Sequence, residues 1–212
     1  MSTNRRSFLK ASALLPFGTL AVGPLHAANT AMYSGQTEPI NPNVFGPREG
    51  YTPMVSNLVS MMGWMRTTLL SSLQGLTVEE LDHHQDKNAN SIGAMLLHLT
   101  ATERFYQLNS FHGHAWGNFP AADKDKYDVA MSLGKPARKK IIGNPLSYYL
   151  DELATVRRNT LEELKTRDDK WLLAADNDFV WGPTNNYCKW FHVVEHESNH
   201  NGQIKFLKKR IS

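Results

Sequence analysis

The 212-residue chain contains one cysteine, Cys188, which excludes an intrachain disulfide framework and any cysteine-built zinc or iron–sulfur cage. It also lacks a charge excess where one would count. The formal net charge is +3, but residues 1–27 hold Arg5, Arg6 and Lys10 and no acid. With those three set aside, the 23 basic residues become 20, against 20 acidic ones. That balance removes the bulk electrostatic argument for nucleic acid or anionic lipid as a partner. No internal repeat, phosphate-binding glycine loop or strand-type alternation stands out. The apolar run from Ala11 to about Val22 is broken by Pro16 and Gly18 and is too short to span a bilayer. What remains is ordinary globular composition, 41% hydrophobic and 20% charged, in a length that favours one domain.

The chain opens Thr3-Asn4-Arg5-Arg6-Ser7-Phe8-Leu9-Lys10, continues through the apolar run, and reaches Pro24-Leu25-His26-Ala27-Ala28. This is a charged region, an apolar region and a small-residue cleavage site. The Arg-Arg pair followed by Ser-Phe-Leu-Lys resembles a twin-arginine export signal, with Asn4 where that motif usually has Ser or Thr. The resemblance implies a signal peptide over 1–27 and a chain carried, already folded, to the periplasm or beyond. No membrane span would remain after cleavage. Residues 28–50 are rich in Asn, Thr, Gly and Pro and read as a linker or extended arm. The domain is expected over 51–212, where Cys188 would be either buried or a free thiol.

Four long segments carry helical periodicity. The first runs from about Thr52 to Leu73, with Leu58, Met61, Met62, Met65, Leu69 and Leu73 on its apolar positions and Gly75 as a stop. Thioethers at this spacing are core filler rather than a copper site. Thr77 with Glu80 fits a capping box ahead of a short helical turn. The second helix runs from about Ser91 to Phe111, capped by Asn90 or Ser91. Residues 114–143 are polar and read as a long connection, whose cluster Lys135 to Lys140 is taken as solvated surface. The third helix starts at Asn144-Pro145, with Leu146, Leu150, Leu153, Leu161 and Leu164 on its stripe. Residues 167–184 form an aromatic-containing loop that has room for a short hairpin. The fourth helix runs from about Asn185 to Arg210. Four helices with one long middle connection argue for an all-α four-helix bundle, in which the crossover lets helix three run parallel to helix two.

The chemistry lies in the last helix, where His192, His196 and His200 recur at every fourth residue. Four positions advance a helix by only about 40°, so neighbours in the series share a face one turn apart. An i, i+4 histidine pair can place two imidazole nitrogens on one metal ion. With His196 as zero, His200 lies at about +40° and Leu207 at about +20° around the helix. Val193 and Ile211 lie at about +60° and Ile204 at about +80°. The histidines thus share the core-facing stripe, with His192 on its edge at about −40°. Two buried imidazoles side by side cannot both be charged, and a metal satisfies both as neutral rings. A third ligand has to come from elsewhere, and His98, mid-helix beside Ala94, Ala101, Thr102 and Phe105, has small neighbours that leave room for an approaching side chain. Glu195 and Glu197 lie about 100° from His196 and read as surface carboxylates, with Glu195 kept as an accessory candidate beside His192. His83-His84 and His112-x-His114 sit near helix ends and read as exposed. Trp64, Trp181 and Trp190 read as core.

His98 within Ser91-Ile92-Gly93-Ala94-Met95-Leu96-Leu97-His98-Leu99, together with His196-x-x-x-His200-x-Gly-Gln-Ile near the end of the chain, resembles the DinB-like four-helix bundles over roughly residues 52–211. The resemblance implies an up-down-down-up order. It also implies a divalent-metal triad of one histidine from helix two and two from helix four, which map onto His98, His196 and His200. The implied ion is zinc, nickel, iron or manganese, with open positions for water or substrate. Relatives include low-molecular-weight thiol transferases and isomerases.

The expectation is therefore an exported metal-dependent enzyme acting on a small substrate, hydrolase-like or thiol-transferase-like, through a three-histidine site. The alternatives are a non-catalytic bundle that binds metal or a small ligand, and a structural bundle whose histidines are only hydrogen bonded. A homodimer is left open.

Overall fold

The computed structural model describes residues 41–211, so the signal segment expected at 1–27 and the first part of the 28–50 arm lie outside the described residues. Residues 41–50 carry no helix or strand. They lie against the first helix, α1 (Pro53–Leu73), where Arg48 Nε donates to Ser60 Oγ at 3.1 Å and Trp64 Nε1 donates to Asn43 Oδ1 at 3.3 Å. That bond accounts for Trp64, which is partly exposed rather than core.

After α1 come α2 (Val78–Asp82) and α3 (Ile92–Ser110). Both start as their residues dictate. Thr77 accepts from Glu80 N while the Glu80 carboxylate accepts from Thr77 N, the reciprocal capping box. Ser91 Oγ accepts from Ala94 N at 3.2 Å. The connection over 114–143 is not a plain loop: it contains α4 (Ala121–Ser132) and α5 (Gly134–Lys140), joined through Leu133 at φ 54° and Gly134 at φ 67°. Neither helix has a clear apolar stripe, and α4 buries only Tyr127 and Ala130, so its helical state rests on docking against α3. The basic residues of α5 are solvated as expected: Lys135, Lys139 and Lys140 are exposed, and Arg138 donates to the Asn88 carbonyl.

Next comes α6 (Leu146–Lys165), with Pro145 rather than Asn144 at its cap position. A short α7 (Asp169–Leu173) and a two-residue antiparallel ladder of β1 (Ala175–Asp176) with β2 (Thr184–Asn185) form the aromatic loop, and α8 (Asn186–Ile211) ends the described chain.

Side-chain contacts fix the helix directions. Arg66 meets Glu197 and Ser72 meets Asn201, so α1 and α8 run parallel. His98 meets His196 while Ser110 meets Trp190, so α3 and α8 are antiparallel. Glu103 meets Arg157 and Gln107 meets Thr160, so α6 is parallel to α3. The order is up-down-down-up in an all-α four-helix bundle, as the resemblance implied. At Gly93 the α3 and α6 surfaces nearly touch: an ideal Cβ there would sit 2.5 Å from the hydroxyl of fully buried Tyr149, so glycine alone permits the approach.

The apolar core falls into two clusters. One gathers Leu69, Leu73, Leu96, Leu153 and Leu207; the other gathers Leu58, Met62, Leu164, Trp190 and Val193. The methionines Met62 and Met65 are core filler, as their spacing suggests. Between the clusters lies a charged layer with one residue from each main helix: Arg66, Glu103, Arg157 and Glu197, all buried.

Candidate metal centre

His98 stands mid-way along α3, and His196 and His200 stand one turn apart on α8. The antiparallel packing of these two helices brings the three rings together. His98 Nε2 lies 2.8 Å from His196 Nε2, and the ring centroids are 4.9 Å (98–196), 5.1 Å (98–200) and 4.6 Å (196–200) apart. One nitrogen from each ring lies within 4.8 Å of the other two. Among the described residues, this is the group of three or more His, Cys, Asp or Glu side chains able to share one ion. His98 and His200 are buried and His196 is half-buried.

The far side of each ring shows which nitrogen faces inward. His98 Nδ1 lies 3.0 Å from the Ala130 carbonyl, which can only accept, so Nδ1 carries the proton and Nε2 presents a lone pair. Ala130 belongs to α4, so the crossover read from sequence as a loop supplies the contact that orients the His98 ring. His200 Nδ1 donates to Gln203 Oε1 at 3.1 Å, which frees its Nε2 in the same way.

Electrostatics favour neutral rings. Burial, followed by the neighbouring His200 charge, pushes the His98 pKa down to about 4. Burial, followed by His200, His98 and His192, pushes His196 down to about 3. His200 is also lowered, by burial. Neutral imidazoles with converging lone pairs are the donor set a borderline divalent cation takes, so the residues fit the implied metal.

The same shifts make the metal-free fold acid-sensitive. Between the ordinary histidine pKa near 6.5 and the depressed folded values, the unfolded chain binds protons that the folded chain refuses, so stability falls as pH falls. We expect the Tm of metal-free protein to drop by roughly 5–10 °C from pH 7 to pH 4.5, from a loss on the order of 2–3 kcal/mol. His98→Asn/His196→Asn protein should show a shallower slope in the same melts, and an equal slope would show that other groups carry the effect.

His192 lies beside the triad, with its ring centroid 5.2 Å from that of His196 and its Nδ1 sharing a 2.9 Å hydrogen bond with Tyr106 Oη. Burial lowers its pKa, partly offset by the charge of Glu195. Glu195 itself is exposed. The edge of Trp181, 56% exposed, meets the His192 ring at 5.0 Å, so this residue is not core either. It rises from the loop between β1 and β2 at the same end of the triad. Trp190 alone of the three tryptophans is buried as expected. Cys188 is an exposed free thiol.

Two features escaped the sequence reading. Glu197 is not a surface carboxylate: it is 2% exposed, with its Oε1 accepting from Arg66 Nε at 2.8 Å and its Oε2 from Arg157 Nη2 at 2.8 Å. Burial alone would raise the Glu103 carboxyl, but Arg157 and Arg66 outweigh it and hold it below the ordinary range. Lys189 is equally buried; it lies seven residues before His196, so its place on the core face was readable from the helical turn. Its Nζ donates to Asp176 at 2.7 Å and Asn109 at 2.8 Å and rests 4.5 Å from the Phe179 ring centre. This ties the β1 strand to the start of α8. Beside it lies a cleft of about 400 Å³ lined by Asn109, Trp116, Asp178, Phe179 and Lys189.

No helix among the described residues is long and apolar enough to cross a membrane. No curated protein matches the chain. A family profile described as Mycothiol-S-transferase matches residues 57–212, the span that holds all four bundle helices but the first turn of α1 and all three converging histidines. The chain belongs to the mycothiol-S-transferase family, a DinB-like family of helical bundles.

Proposed function

We propose that the protein is a divalent-metal-dependent S-transferase that joins a low-molecular-weight thiol to a small electrophile, with the cation held by His98, His196 and His200. The observation that carries this reading is the convergence of three neutral imidazoles from two helices on one point. A cation bound there lowers the pKa of a thiol or water that completes its coordination. The chain's own residues do the rest. His98 is aimed by the Ala130 carbonyl, and His200 is aimed by Gln203. Exposed Trp181 offers an apolar wall beside the half-buried His192, which neighbours His196, suited to the carbon skeleton of an electrophile. In the transfer, the thiol sulfur forms the bond to carbon, the thiol proton passes to solvent, and any leaving group departs with its electron pair. The segment Arg5-Arg6-Ser7-Phe8-Leu9-Lys10 supports export of the folded chain, and we place the activity outside the cytoplasm.

The test is elemental analysis of protein purified without a histidine tag. It is followed by thiol-consumption assays with an electrophile after loading with zinc, nickel, iron or manganese. We expect about one ion per chain and thiol loss that depends on it. Full metal loading with ester hydrolysis and no thiol loss would make the protein a hydrolase. Less than a tenth of an ion per chain after metal is added back would leave the histidines as a hydrogen-bonded cluster.

A further inference from the structure

The charged layer of the core has an arrangement that a stability role does not explain. Its two acids sit on the helices that carry the histidines, Glu103 on α3 and Glu197 on α8. Its two arginines sit on the helices that carry none, Arg66 on α1 and Arg157 on α6. Each arginine grips both acids. Arg66 reaches Glu103 Oε2 through Nη2 at 3.1 Å and Glu197 Oε1 through Nε at 2.8 Å. Arg157 reaches Glu103 Oε1 through Nε at 2.8 Å and Glu197 Oε2 through Nη2 at 2.8 Å. The remaining donors are used reciprocally: Arg66 Nη1 donates to the Leu153 carbonyl of α6 at 2.7 Å, and Arg157 Nη1 donates to the Met62 carbonyl of α1 at 2.8 Å. Thr160 adds a hydroxyl to Glu103 Oε1 at 2.6 Å.

A buried ion network of this kind contributes little net stability over a well-packed apolar layer, because desolvation offsets the attraction. It contributes direction instead. Apolar contacts let two helices slide or rotate by small amounts at little cost, whereas a guanidinium fork on a carboxylate holds both distance and angle. Direction is what a site shared between α3 and α8 needs. Metal–nitrogen distances tolerate only about 0.2 Å, and a slip of one residue moves a helix by about 1.5 Å. Glu197 directly follows His196, and Glu103 lies five residues after His98, about one and a half turns, so the layer adjoins the triad.

We propose that the Arg66–Glu103–Arg157–Glu197 quartet is a positioning device: it locks the register of α3 against α8 and thereby sets how tightly His98, His196 and His200 hold a cation. This rests on the metal-site reading above. None of the four residues touches the reacting atoms; they act through the histidines.

The experiment compares three tag-free, metal-stripped proteins by Co²⁺ titration, following visible ligand-field absorption, and by thermal melts. The first is the wild type. The second carries an apolar layer, Arg66→Met/Glu103→Leu/Arg157→Met/Glu197→Leu. The third, Arg66→Lys/Arg157→Lys, keeps every charge but loses the forks, since an ammonium is a point donor. It serves if the apolar variant does not fold. We expect wild type to take one Co²⁺ with sharp bands. Each folded variant should bind Co²⁺ about 10–100-fold more weakly, the range seen when groups behind metal ligands are removed, with broadened bands. A folded variant with wild-type affinity and wild-type bands would overturn the proposal and leave the metal site standing. A wild type that takes up no Co²⁺ would overturn both.

Discussion

Replacing His196 with alanine is expected to empty the metal centre. Only His98 and His200 would remain, two rings on different helices with centroids 5.1 Å apart and no i, i+4 partner between them. The affinity should fall by more than ~100-fold, beyond the ~10–100-fold typical of changes behind the ligands. Metal content after purification should drop below a tenth of an ion per chain, and metal-dependent thiol consumption should go with it. The fold should persist, because His196 is half-buried and water can reach the lone pair that it leaves on His98. Two comparisons sharpen the result. Glu195→Ala, at an exposed carboxylate, should leave metal content unchanged. His192→Ala should retain the ion, because its ring faces Tyr106 and Trp181. A His196→Ala protein that still holds one ion per chain would remove this residue from the ligand set.

Arg157→Met should be strongly destabilising. The arginine is buried and donates to Glu103, to Glu197 and to the Met62 carbonyl. Without it, two buried carboxylates share Arg66 alone. Breaking a buried ion pair from one side typically costs about 3–5 kcal/mol, mostly the penalty of an uncompensated charge. For a domain of this size that corresponds to a Tm lower by roughly 10 °C or more. The loss should shrink at low pH, where the stranded carboxylates take up protons. A melt of metal-free Arg157→Met within about 2–3 °C of wild type would show that the layer is already partly hydrated.

Much of the scaffold could be read from residues alone, and the reasons are local. Thr77 with Glu80 and Ser91 ahead of Ile92 are start signals whose chemistry lies within one helical turn. The spacing from His192 to His200 put His196 and His200 on one face, and the length of the crossover agreed with the bundle order that the DinB-like resemblance implies. The crossover's own helices were hidden, because α4 and α5 have few apolar positions and gain their order from what they dock on. The charged layer was hidden for a different reason. Centring the core stripe of α8 on His196 put Glu197 at its margin. The buried face of α8 runs from Lys189, Leu207 and His200 through Val193, Ile204 and Glu197 to Trp190, Asn201 and Val194, so it is centred well beyond His196, with Glu197 in its midst and His196 at its edge. The signal was present as a formal charge on the buried stripe of every main helix, apart from Lys189 at the start of α8: Arg66 among Met62 and Leu69, Glu103 beside Thr102, Arg157 between Leu153 and Thr160, and Glu197 between Val193 and Ile204.

The Ala130 carbonyl behind His98 has a consequence for assembly order. The ring and its orienting oxygen are 32 residues apart in the chain, and the partner ring is 98 residues away. A nascent or truncated polypeptide therefore has no high-affinity seat for an ion. Only once the intervening segment has settled against the second long helix do the donors exist together. Cation occupancy would then be a molecular certificate of completed folding.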